Sequence, residues 1–179
     1  MKRLPILLAA AATMLAPAAF AELPQGAAAP NFAARGALGG KVFSFNLTAQ
    51  LRRGPVVLYF YPKAFTAGCT AEAHAFAEAS DEFAAAGATV IGMSNDDIAT
   101  LRKFSTEACR DKFAVASASR AVIRAYDVAL VKDGQDTGFT KRTSYVIGQD
   151  GRIVMVHSEM DWRQHVALTL AAVQGLRRP

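Results

Sequence analysis

Apolar positions fall into short, separate blocks along this chain. Pro55-Val56-Val57-Leu58-Tyr59-Phe60-Tyr61 is an unbroken run rich in β-branched and aromatic residues, which suits a strand covered on both faces, as in a parallel sheet. Thr89-Val90-Ile91-Gly92-Met93-Ser94 reads the same way, and Val42 to Leu47 alternates as a half-buried strand does. Pro62 ends the first run. Thr70 to Ala86 is dominated by alanine and puts Phe76 and Phe83 on one face, which predicts a helix closed by Gly87. Asp96 or Asp97 offers an N-cap to a further helix carrying Ile98, Leu101 and Ala108. Phe113 to Ala116 suits a short strand and Arg120 to Tyr126 a helical turn. Thr143 to Ile147 and Arg152 to Val156 flank Gly148-Gln149-Asp150-Gly151, a hairpin pattern. Asp161 can cap a closing helix with Val166, Leu168 and Leu170. Leu23 to Gly40, rich in Ala, Gly and Pro, reads as an irregular lead-in.

Strand, helix, strand, helix, hairpin and closing helix describe an α/β fold with a mixed central sheet flanked by helices. The thioredoxin-like fold is the compact solution with that order, and other α/β sandwiches share it. No internal repeat or second domain interrupts it.

The ends of the chain change the picture in one respect. Lys2 and Arg3 precede an almost wholly apolar stretch, Leu4 to Phe20, and Ala19-Phe20-Ala21 has the small-x-small form of a cleavage site. Residues 1–21 therefore read as a cleavable signal peptide, with a retained anchor as the alternative, and residues 22–179 as a single domain. The apolar run is short for a membrane span, so no membrane attachment is expected after cleavage. The expected destination is an exported space, a bacterial periplasm. The signal segment also inflates the positive mean hydropathy. The formal net charge is +5, and losing Lys2 and Arg3 leaves 18 basic against 15 acidic residues, about +3. The basic residues are scattered apart from Arg52-Arg53 and Arg177-Arg178, a pattern without a nucleic-acid footprint.

Two cysteines, Cys69 and Cys109, lie in the mature part. In an exported protein such a pair is often a structural disulfide. The surroundings of Cys69 argue for chemistry instead. A buried strand ends at Pro62, a turn follows, and a helix opens at or just before Cys69. The thiol thus sits in the first turn of a helix at the carboxyl end of a central strand, where open α/β sheets place ligands. The free N–H groups and positive end of the helix favour the thiolate, which is the nucleophilic form. Thr66 is placed to hydrogen-bond the thiolate or an incoming oxygen, or simply to cap the helix. Pro62 is placed to cover the thiol, or simply to end the strand.

Together, Pro62-x-x-x-Thr66-x-x-Cys69 is the active-site pattern of the peroxiredoxins, and this chain resembles that family. Tyr61-Pro62-Lys63-x-x-Thr66-x-Gly68-Cys69-Thr70-x-Glu72 looks most like its Q-type, or bacterioferritin-comigratory, branch. The resemblance extends through most of the mature chain. Gly26 with Ala29-Pro30-Asn31-Phe32 is similar to the family's opening motif. Lys141-Arg142-Thr143-Ser144-Tyr145-Val146-Ile147 before Asp150-Gly151 resembles the segment carrying its active-site arginine. The resemblance implies a thiol peroxidase in which Cys69 attacks hydrogen peroxide or an alkyl hydroperoxide and becomes a sulfenic acid. Arg142, Thr66 and backbone N–H groups would then stabilise the leaving oxygen. It implies no metal or organic cofactor. A thioredoxin-like protein or a small thiol would be the reductant, and the chain would be a monomer or homodimer.

The match breaks in places. Many members of the branch carry a second cysteine five residues after the first, where this chain has His74: a polar helix-face residue or a proton shuttle. Cys109 is the only other thiol, and the resemblance permits it as a resolving cysteine; the alternative is an inert buried thiol. Ala64-Phe65 makes the rim more apolar than usual, which would favour organic hydroperoxides, unless Phe65 is core packing. His157 and His165 show no metal-ligand spacing. Trp162 reads as packing for the closing helix, and Asp81 and Glu82 as a solvated face. Two other function classes fit the same thiol: a thiol–disulfide carrier, against which the absence of Cys-x-x-Cys counts, and a non-catalytic redox sensor.

Overall fold

The computed structural model describes residues 22–177; the expected signal peptide lies outside these described residues. The long apolar run forms β3 (Val56–Phe60), every residue of it buried. It pairs in parallel with β4 (Thr89–Ser94), which pairs in parallel with β5 (Ala114–Ser117). On the other side β3 pairs antiparallel with β8 (Thr143–Ile147), which forms the expected hairpin with β9 (Ile153–Ser158).

The lead-in is more regular than its composition suggests. Ala33–Leu38 forms β1, which turns through Gly39 and Gly40, both at positive φ, into β2 (Lys41–Asn46). Two consecutive glycines are a hairpin signal. Alanine-rich composition hid the strand, whose stability comes from pairing with β2 and β5 and not from its own propensity. The seven-stranded sheet has the order β2-β1-β5-β4-β3-β8-β9. A second missed hairpin, β6 (Ala129–Lys132) with β7 (Gln135–Thr140), stands apart from it.

Helices cover both faces. Asn46 caps the short α1 (Leu47–Leu51), and Ser119 caps α5 (Arg120–Ala125). These pack with Leu58, Phe60, Tyr126 and Tyr145 on one side of the sheet. The expected helix from Thr70 to Ala86 is two helices, α2 (Ala67–Glu78) and α3 (Ser80–Ala85). Ser80 Oγ donates to the Phe76 carbonyl four residues back, at 3.0 Å, and competes with the backbone ladder there. Asp97, not Asp96, caps α4 (Ile98–Glu107). Asp161 caps a 3-10 turn (Trp162–Gln164) that runs into α6 (His165–Gly175). α2, α3, α4 and α6 share the core of Val57, Tyr59, Tyr61, Phe76, Phe104 and Val146, which also contains both cysteines. Within it the Tyr59 ring stacks on Phe76 at 4.3 Å, and Tyr61 stacks on Phe104 at 5.5 Å.

Candidate active site

The carboxyl end of β3 delivers the chain into the turn before α2. Tyr61 N–H donates to the Met93 carbonyl (2.9 Å) and the Tyr61 carbonyl accepts from Thr140 Oγ1 (2.6 Å), so the strand is held up to its last residue. Half-buried Pro62 follows. Asp96 Oδ2 then accepts from Ala64 N–H (2.8 Å) and from Ser94 Oγ (2.7 Å), pinning the turn to the end of β4. Phe65 comes next at φ 64, a left-handed conformation that costs a bulky residue free energy and is tolerated where its surroundings hold it. Its ring is 45% exposed yet sits edge-on to Phe104 at 5.2 Å. Phe65 is thus both apolar rim and core contact.

Thr66 is the N-cap of α2 by backbone conformation, and its carbonyl accepts the helical bond from Thr70 N–H. Its exposed hydroxyl donates to the Lys63 carbonyl at 3.1 Å and makes no side-chain cap. Neither contact expected of it, to the thiol or to the helix, is made in this conformation. The free N–H groups of the first turn therefore stay unoccupied by a capping side chain. Cys69 lies in that turn, 2% exposed.

Arg142 arrives from the residue before β8. Nη2 donates to Cys69 Sγ at 3.5 Å, Nη1 donates to Glu72 Oε2, and Nε donates to the Met160 carbonyl at 3.0 Å. The guanidinium is 5% exposed, so its permanent charge is little screened. Glu72 is three residues after Cys69 on the same helix face and fully buried. Burial pushes its carboxyl up to about 8, against the opposing pull of Arg142. Gly68 packs beside both the arginine and the closing turn: a Cβ there would lie 3.5 Å from Arg142 Nη2 and 3.8 Å from Trp162 Cδ1. Trp162, expected only to pack the closing helix, therefore also lies against the first turn of α2 at Gly68.

His165 extends the cluster. It is fully buried, with Nδ1 2.8 Å from Ser144 Oγ, Nε2 2.9 Å from the Glu159 carbonyl, and Nδ1 4.0 Å from Glu72 Oε1. Burial pushes it down to about 4. His157 meets its ring at 4.5 Å. No group of metal-ligating side chains occurs among the described residues. Glu72, His165 and Asp96 escaped assignment from sequence. Glu72 left a trace there as the acid three positions after the cysteine, whereas Asp96 read as a helix cap and His165 as a histidine without metal-ligand spacing.

The second thiol is elsewhere in the same core. Cys109 follows α4, fully buried, and both cysteines are free. Burial first, and Asp111 second, push its thiol well above the ordinary range. His74 is half-buried on α2.

A thiol at a helix start, faced by a buried guanidinium that a buried carboxyl orients, is built to hold a thiolate against a small electrophile. Residues 25–156 match the AhpC/TSA family. The chain belongs to that family. It is 31% identical to the chloroplastic peroxiredoxin Q of Oryza sativa subsp. japonica over 156 residues, 87% of this chain and 69% of that protein. It is 29% identical to peroxiredoxin Bcp of Bacillus subtilis over 123 residues, 68% of this chain and 78% of that one. Among solved structures, the peroxidoxin BcpB of Mycobacterium tuberculosis superposes with a TM-score of 0.76 at 31% identity, over 86% of this chain and 98% of that one. The bacterioferritin comigratory protein of Xanthomonas campestris, whose structures concern alkyl peroxide reduction, gives 0.71 at 28% identity, over 80% and 92%. This peroxiredoxin has the expected thioredoxin-like fold and is a thiol-dependent peroxidase, an oxidoreductase.

Proposed function

We propose that Cys69 is the peroxidatic residue and that Arg142 holds its thiolate for attack on hydrogen peroxide or an alkyl hydroperoxide. The carrying observation is the 3.5 Å contact between Arg142 Nη2 and Cys69 Sγ in a buried site. The sulfur takes one oxygen of the O–O bond while the other departs as an anion. Arg142 and the uncapped N–H groups of α2 are donors aimed at that region. Pro62 limits access from the strand side. Thr66 joins only if its hydroxyl turns from Lys63 when peroxide enters. Phe65 makes the rim apolar, which supports a preference for organic hydroperoxides.

The sulfenic acid on Cys69 is returned to thiol by an external thiol, either a thioredoxin-like protein or a small molecule. The buried, poorly ionised Cys109 supports this reading over internal resolution in the folded state. Cys109 resolves Cys69 only if the end of α4 opens. The enzyme acts as an exported, periplasmic protein after loss of residues 1–21, which the signal pattern supports.

One experiment tests these roles. Reduced protein is treated with one equivalent of hydrogen peroxide and its intact mass taken beside Cys69→Ser and Cys109→Ser. Gain of one oxygen in the native chain and in Cys109→Ser, and none in Cys69→Ser, is the expected result. Loss of two hydrogens in the native chain would make Cys109 the resolver. An unchanged native mass with free thiol present would sink the assignment of Cys69.

A further inference from the structure

Glu72 is fully buried, yet only one of its carboxyl oxygens is used. Oε2 accepts from Arg142 Nη1, whereas Oε1 has no hydrogen-bond partner among the described residues. Nδ1 of His165 lies 4.0 Å from Oε1. The far side of the ring sets its tautomer. Nε2 faces the Glu159 carbonyl oxygen, which can only accept, so Nε2 carries the hydrogen. A neutral ring then has a bare Nδ1, to which Ser144 Oγ donates. An ionised Glu72 would bury a carboxylate oxygen beside the unprotonated edge of the imidazole, with no hydrogen-bond donor reaching it. Burying an unsatisfied anionic oxygen costs far more than burying a neutral one. A proton on Oε1 takes the charge off that buried oxygen.

The charges point the same way. Glu72 is faced by Cys69 on its own helix, Arg142 before β8, Tyr59 on β3 and His165 on α6, with His157 and Glu159 behind the imidazole. With Glu72 ionised, Arg142 is already neutralised, and a Cys69 thiolate adds an unbalanced buried negative charge. With Glu72 protonated, thiolate and guanidinium balance one to one.

We propose that Glu72 is a positioning residue that holds a proton in the reduced enzyme, kept neutral by its burial against the unprotonated edge of His165, so that the whole charge of Arg142 faces the Cys69 thiolate. This rests on Cys69 being the peroxidatic thiol. Burial that raises Glu72 to about 8 and lowers His165 to about 4 agrees, because the proton then sits on Glu72 at neutral pH. In the reaction the thiolate sulfur bonds to the terminal hydroxyl oxygen of the hydroperoxide and the O–O bond breaks. Sulfur loses two electrons and the departing alkoxide gains them. The sulfenic acid is neutral, which leaves Arg142 without an anion, and Glu72 ionises in its place. The proton it gives up balances the one the alkoxide takes to become alcohol.

Infrared difference spectra of reduced minus peroxide-oxidised protein test this, together with proton uptake in weak buffer. The native enzyme should lose one protonated-carboxyl band on oxidation and take up close to no protons per thiolate oxidised. Glu72→Gln should lose the band change and take up about one proton per sulfenic acid formed. Should Glu72→Gln fail to fold, His165→Asn serves: an amide donor at Oε1 ionises Glu72 in advance, and the band is missing from the reduced state. Native protein that forms the sulfenic acid with no loss of a carboxyl band, and with one proton taken up, overturns the proposal. Native protein in which Cys69 is not oxidised at all overturns the peroxidatic assignment instead.

Discussion

Arg142 Nη2 lies 3.5 Å from Cys69 Sγ, although 73 residues separate them in sequence. The antiparallel pairing of β3 with β8 makes the contact. Phe60 pairs with Thr143, so the residue after β3 and the residue before β8 leave the sheet at the same edge. Arg142 is then fixed from three sides by Cys69, Glu72 and the Met160 carbonyl. A lysine has a point charge and no fork, and it cannot make the three contacts at once. Arg142→Lys should therefore slow peroxide consumption by about 10²–10³-fold, the range for losing one aligned donor at a developing charge. Arg142→Met should slow it further. Competition kinetics against a reference peroxidase measure both. A lysine variant at native rate would show that charge alone, without geometry, is enough.

The raised carboxyl of Glu72 and the lowered imidazole of His165 give stability opposite slopes with pH. Glu72 is more easily protonated folded than unfolded, so its contribution is complete below about 4.5 and is lost as pH rises through about 8. His165 is harder to protonate folded, so its contribution is present above 6.5 and is lost as pH falls through about 4. Between about 4.5 and 6.5 the two oppose each other; from 6.5 to 8 Glu72 acts alone. Urea midpoints should therefore fall between pH 6.5 and 8 in the native protein and stay level in Glu72→Gln. The same fall in the variant would assign the slope to another group.

The sheet centre and the thiol proposed as nucleophile were legible in the sequence, and the side chains packed behind that thiol were not. β3, β4 and the β8–β9 hairpin were legible because a strand buried on both faces must be continuously apolar, and Gly148 to Gly151 mark the turn. β1 was not, because alanine carries no strand preference and its pairing partner β5 lies far along the chain. Cys69 and Arg142 were readable from their motifs. Asp96 looked like a helix cap because acid before an apolar run is a capping signal, and only the fold shows that Asp97 takes that role while Asp96 holds Ala64. His165 and Trp162 join the site through α6 and the turn before it. No local periodicity encodes that packing.

Asp96 has a measurable job if it pins the active-site turn. Its Oδ2 is the acceptor for Ala64 N–H, one residue before the left-handed Phe65. Asp96→Ala removes that acceptor and leaves Ser94 Oγ without its own. Loss of two such bonds at a half-buried site should cost about 1–3 kcal/mol of stability. The freed turn should also relax Phe65 from its strained conformation and slow peroxide reduction about tenfold, the scale of a modest misplacement. Hydrogen exchange at Ala64 and Phe65 should quicken in step. Faster exchange with an unchanged peroxide rate would separate the turn's rigidity from catalysis.

Cys109 sets the limit on what the folded enzyme does by itself. Its thiol is fully buried in the core of Tyr59, Tyr61 and Phe104, and burial holds it in the protonated form. A protonated, enclosed thiol is a poor nucleophile, so attack on a Cys69 sulfenic acid has to wait for local opening. α4 ends close by: Cys109 N–H donates to the Phe104 carbonyl and its own carbonyl accepts from Lys112 N–H, bonds that opening breaks. Alkylation of Cys109 in native protein should accordingly be slow, should quicken steeply in sub-denaturing urea, and should be unaffected by peroxide. Added small thiol should restore Cys69 at a rate independent of Cys109, so Cys109→Ala and the native chain should turn over alike. A native chain that recycles faster than Cys109→Ala, with its advantage growing as urea loosens the fold, would instead make opening of α4 a working step of the cycle.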